Sequence, residues 1–329
     1  MPMPHEDFAG DPPDDRAGDP VSEPVADPEL CGRFAAWFAA ALNGRVESTA
    51  ALTAIESGSD GHTVAGWHDW WAGTNGAGLV ARLPEAGQAI VEFTIADVFD
   101  RLLDIGVQRV SLVLPVAGDP LGLVGTGTFS VAALDAECGV LLVTDHARLG
   151  LIPTHDRRGS SYRGWRWQVY VEPIDFVVDA GPVDPFAPVG TLPPAEPEQV
   201  IEQADRALAR ALHAATHELA ALDLAHWRPE VAAGRKEAEA ALRAAGQRMP
   251  PGWPPAARAL AERALMLWRI VRVARADAGA ASASGSQVRG EVLRGLSHAV
   301  REAAMVAYNL PLLTLPASRP ASAVESDLR

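Results

Sequence analysis

Apolar positions recur along this chain at helical and strand spacings in alternation up to about residue 175, and at helical spacing alone beyond about residue 198. Leu30, Phe34, Trp37, Phe38 and Ala41 share one face of a helix over 29–42, with Pro28 at its start and Gly44 beyond its end. A second helix is expected over 47–55, broken by the run Ser57-Gly58-Ser59-Asp60-Gly61. The three- and four-residue spacing of Val64, Trp67, Trp70 and Trp71 predicts a short helix over 62–71. A hairpin is expected from 79–83 and 88–93 around Pro84-Glu85-Ala86-Gly87. Thr94 and Asp97 have the spacing of a capping box and open a helix that Gly106 stops. Strands are predicted at 109–114, 140–144 and 165–171, with a glycine-rich loop over 115–128 and a helix over 129–138 between the first two.

This order suits an α/β N-terminal domain with a small mixed or parallel sheet. Right-handed crossovers would make the strands at 88–93, 109–114 and 140–144 parallel neighbours. From Ile201 through Leu208, Leu212, Ala215, Leu219 and Leu222 the apolar steps are helical only. Further helices are expected at 229–245, 256–276 and 288–310, and four such helices form an all-α helical-bundle domain. The expected organisation is an acidic disordered tail (1–28), the α/β domain (29–175), a proline-rich linker (176–197), the bundle (198–312) and a flexible tail (313–329).

Charge sharpens this picture. The net charge is −14, yet residues 1–29 hold −8 and residues 196–316 hold +2. The acidic balance argues against nucleic acid as a partner, since phosphate contacts need a basic face. The opening residues have neither a basic region nor an apolar run, and no stretch has the length needed to span a bilayer. A cytoplasmic protein with no membrane association is therefore expected. Cys31 and Cys138 each lie in an apolar pattern and are expected to be buried thiols. Lys236 is the single lysine among 28 basic residues, so an arginine here often stands where lysine would serve.

Candidate chemistry gathers at the loop. Gly118, Gly122, Gly125 and Gly127, followed by Thr128, would let backbone N–H groups approach an anion at a helix start. No lysine follows these glycines, and the tight turn of a dinucleotide site is missing, so a structural loop is the competing and preferred reading. If the strands are parallel, Asp119, Asp145 and His146 emerge on one sheet edge as catalytic candidates. His213 and His217 have a chelating spacing, but they share a face with Arg206 and Arg210, so no metal is expected. No cofactor is expected either. Arg258, Arg269 and Arg272 fall on one helix face, either a solvated surface or a docking surface for an acidic partner, the chain's own tail among the choices.

The run from Leu114 through Gly118-Asp119-Pro120 and Gly125 to Phe129, with Leu149-Gly150-Leu151-Ile152-Pro153, resembles a segment of uncharacterised actinobacterial proteins over about residues 80–175. That resemblance implies no activity. The leading expectation is thus a non-enzymatic interaction or regulatory protein with a protein partner. A binder or hydrolase of small anionic ligands and a homo-oligomer formed through the bundle are the alternatives.

Overall fold

The computed structural model describes residues 27–65, 92–123, 125–144, 147–156, 162–173, 197–221, 249–276 and 283–313. Helix α1 (Pro28–Leu42) starts where Asp27 accepts the Leu30 N–H at 2.9 Å and Pro28 presets the first turn. Helix α2 (Ser48–Glu56) follows, then strand β1 (His62–Ala65), strand β2 (Phe93–Thr94) and helix α3 (Ile95–Asp104) with the expected capping box. Strand β3 (Arg109–Val113), helix α4 (Thr128–Ala136), and strands β4 (Gly139–Val143), β5 (Ala147–Asp156) and β6 (Gly164–Pro173) complete this half. The C-terminal region is helical: α5 (Pro197–Ala221), α6 (Pro255–Ala276) and α7 (Ala283–Leu313).

The six strands form one mixed sheet in the order β2-β1-β6-β5-β4-β3, in which only β1 and β6 are parallel. Expected parallel pairing between 109–114 and 140–144 is overturned. Val113 lies opposite Gly139 and Arg109 opposite Val143, so these strands are antiparallel. The chain leaves β3 and enters β4 at the same rim, so the loop and α4 together make no net crossing of the sheet. The expected 62–71 helix is corrected as well: His62–Ala65 is a strand, because its backbone pairs with β6 on one side and β2 on the other. Residues 66–91, with the three tryptophans and most of the expected hairpin, lie outside the described residues. So do residues 1–26, the expected linker up to residue 196 and the helix expected at 229–245.

One sheet face carries Leu112, Val140, Leu142, Leu149, Leu151 and Trp167 against α1, where Phe34, Phe38, Phe99 and Trp167 form a ring cluster with centroids 5.0 to 6.4 Å apart. The opposite face packs Val113, Leu141 and Ile152 on Phe129 and Ala133 of α4. Helices α5, α6 and α7 pack on one another, and α7 also lies against α1 and β3. One apolar cluster therefore runs from the sheet into the helical half. A Cβ on Gly32 of α1 would come 2.6 Å from the Tyr308 ring of α7, so glycine permits this close approach.

Strand β3 is an edge strand, and α7 pairs with its open side at Leu112. The Asn309 side-chain amide accepts the Leu112 N–H at 2.8 Å and donates to the Leu112 carbonyl at 2.9 Å, in the manner of a neighbouring strand. At the other end of the sheet His62 is buried. Trp167 Nε1–H can only donate, so His62 Nδ1 accepts it (3.1 Å) and Nε2–H donates to Ser59 Oγ (2.8 Å). Burial, with the charge of Arg33 added, holds its pKa down at about 4.

Candidate functional site

The glycine-rich loop is built to lie on α7. Val116 and Asp119 exchange backbone hydrogen bonds of 3.0 and 2.9 Å, closing a turn that puts Gly118 at φ 81°. Gly122 is also left-handed, at φ 80°, and a Cβ there would come 2.5 Å from Met305 Cε of α7. Two side chains of α7 then hold the loop. Arg301 is 3% exposed; it donates to the Leu114 carbonyl at 2.7 Å and to Asp119 Oδ2 at 2.5 Å. His298 Nδ1 lies 2.6 Å from the same oxygen, and its Nε2 is 3.9 Å from Glu302. Burial pushes the Asp119 carboxyl up, but hydrogen bonds from His298 and Arg301, with their charge, outweigh it and hold it below its usual value. Asp119 is thus an ionised anchor between the two halves.

The anion position at the start of α4 is filled from within. Glu172 of β6 accepts the Phe129 N–H at 3.0 Å, and a Cβ on Gly127 would fall on that carboxylate. The donors and dipole that would favour a phosphate at Gly127 and Thr128 are met by the chain's own acid. Gly125, left-handed at φ 87°, serves the same loop. This weighs toward the structural reading of the segment.

The grouping of Asp119 with Asp145 and His146 required β3 and β4 to be parallel, and they are antiparallel. Asp119 follows Leu114 at one rim, whereas Thr144 and Ala147 close the β4–β5 connection at the rim where Gln108 N–H meets the Val143 carbonyl. At about 3.4 Å per residue the two rims are roughly 20 Å apart. Asp145 and His146 lie outside the described residues, in sequence between those two closing positions. The parallel pairing on which that pocket was expected is therefore absent between β3 and β4.

The remaining candidates are dispersed. Arg258 donates to the Pro250 carbonyl at 2.8 Å and so fastens the turn before α6. Arg269 pairs with Glu29 of α1 at 2.5 Å, and Arg272 lies 4.6 Å over the Trp268 ring. His213 and His217 are exposed on α5. Among the described residues no group of three His, Cys, Asp or Glu side chains is placed to hold a metal ion. Cys31 and Cys138 are buried as expected, with their sulfurs 3.6 Å apart; burial, reinforced by the Cys138 thiol, pushes the Cys31 thiol up. No described helix is long and apolar enough to cross a membrane.

A groove of about 350 Å³ opens between α5 and α7. Val200, Ala204, Ala207 and Val306 are its half-buried or buried apolar lining, and Arg206, Arg210 and Glu302 are exposed beside them. Sequence reasoning missed the partners of Asp119 and the plug at α4, because His298, Arg301 and Glu172 are far away in the chain. The one signal for Arg301 was its place beside Val300 and Ala304 on one face of the expected helix.

No curated protein and no solved structure matches the chain at a significant level. Residues 31–182 match the model of the Rv1486c-like protein N-terminal domain, and residues 202–305 match that of the Rv1486c-like protein C-terminal domain. Sheet half and helical half together therefore place this chain in the Rv1486c-like family.

Proposed function

We propose that this chain is a cytoplasmic, non-enzymatic interaction protein whose C-terminal bundle binds an acidic protein segment. The observation that carries the reading is the groove between α5 and α7. It joins an apolar lining, which favours burial of a partner's side chains, to two exposed arginines, Arg210 and Arg206, the second also paired with Glu202 at 2.6 Å. Its position in the +2 half of a −14 chain agrees with this. Asp119 supports the same reading from the other side, because its Oδ2 serves to hold the loop on α7. The small-ligand alternative depends on an anion at Gly127 and Thr128, where Glu172 already sits.

The test is affinity capture with the full chain and with the Arg206→Glu/Arg210→Glu variant. An acidic partner held by the wild type, released by salt and lost by the variant supports the reading. Equal retention by both chains, or a second copy as the sole partner in native mass spectrometry, overturns it.

A further inference from the structure

We propose that the acidic segment 1–26 docks within its own chain on the arginine row at the C-terminal end of α6. The surface is distinct from the α5–α7 groove, so the two readings stand or fall separately. Residues 1–26 carry seven acids and one arginine, a net −6. From Arg263 to Ala276, α6 has no acid, and it presents Arg269, Arg272 and Arg275 on successive turns. Arg289 of α7 adds a fourth cation there, donating to the Ala274 carbonyl at 2.6 Å.

Where the segment ends selects this surface. Asp27 caps α1, and in the first turn of α1 Glu29 already sits on Arg269, with side chains 13% and 26% exposed. The chain therefore enters α1 alongside the row, and the next acids upstream are Glu23 and Asp19. Eight extended residues reach about 26 Å. Arg272 and Arg275 are three and six residues beyond Arg269, about 4.5 and about 9 Å along the axis at about 1.5 Å per residue. Both are exposed, and the guanidinium of Arg272 lies over the Trp268 ring. Because the contacts are exposed ion pairs, they are screened once the Debye length falls to a few ångströms.

Zero-length carbodiimide coupling tests this in the full chain. Arg272→Lys and Arg275→Lys each place an amine on the row of a chain whose only other lysine is Lys236. The expected product is an isopeptide within one chain, from position 272 or 275 to a carboxyl in 1–26, chiefly Asp19 or Glu23. Its yield should fall at least fivefold in 0.5 M salt, and Arg206→Lys on α5 should give no such product. Coupling only to carboxyls outside 1–26, no coupling, coupling indifferent to salt, or a product with the mass of two chains each overturns the proposal.

Discussion

Replacing Asn309 by leucine should uncouple the sheet edge from α7. The side chain is 1% exposed, and its amide is the partner of both the N–H and the carbonyl of Leu112, itself fully buried. Leucine fills a similar volume but leaves both backbone groups unsatisfied, at about 1–3 kcal/mol each. The added apolar burial returns roughly 1–2 kcal/mol. A net loss of about 2–4 kcal/mol is expected, read as a lower urea midpoint at unchanged slope in equilibrium unfolding. Asn309→Asp keeps an acceptor for the N–H but sets a carboxylate oxygen against the Leu112 carbonyl, so it should do at least as much damage. The Leu112 amide should also exchange hydrogen faster in both variants. A loss below about 0.5 kcal/mol for leucine, or wild-type stability for aspartate, would refute the assignment of Asn309 as the partner of β3.

Three further outcomes concern His62, Asp119 and Gly32. His62 has a pKa lowered to about 4 in the folded chain against 6.5 in the unfolded one, so the unfolded state binds the proton first. Stability should therefore fall as pH drops from about 6.5 to about 4, by roughly 3 kcal/mol in all, and His62→Gln should flatten that window in a pH series of unfolding curves. The depressed Asp119 carboxyl acts lower: its contribution is present above its unfolded value and is lost as pH falls through its folded one. Gly32→Ala would force the new methyl onto the buried Tyr308 ring and should cost about 1–3 kcal/mol by the same denaturation assay, whereas Gly44→Ala, where nothing lies within 4 Å, should show only backbone strain.

Local chemistry made part of this fold legible. The α1 start at Asp27 and Pro28, the box of Thr94 and Asp97, and strand β3 follow from residues within a few positions of one another. Strand β5 did not show, because Gly150 and Pro153 interrupt its pattern; the glycine is there to make room for Phe129. His62–Ala65 read as helix because the tryptophans after it suggested helical spacing, while its strand state depends on β6, a hundred residues later. Strand direction was the costliest error. The long loop before α4 looked like half of a crossover, but both ends of that excursion sit at one rim. Asp119 was legible as a residue with a role. Its partners were not, since nothing at the loop specifies a histidine and an arginine 179 and 182 residues away.

Asp119 serves to join the loop to α7. A double-mutant cycle of Asp119→Ala and Arg301→Leu, measured by urea unfolding of the full chain, tests that most directly. A coupling energy of about 1.5–3 kcal/mol is predicted, the range for a hydrogen bond to a charged group. Coupling under about 0.5 kcal/mol, together with phosphate or nucleotide stabilisation of the wild type that Asp119→Ala abolishes, would contradict it and return the loop to ligand binding.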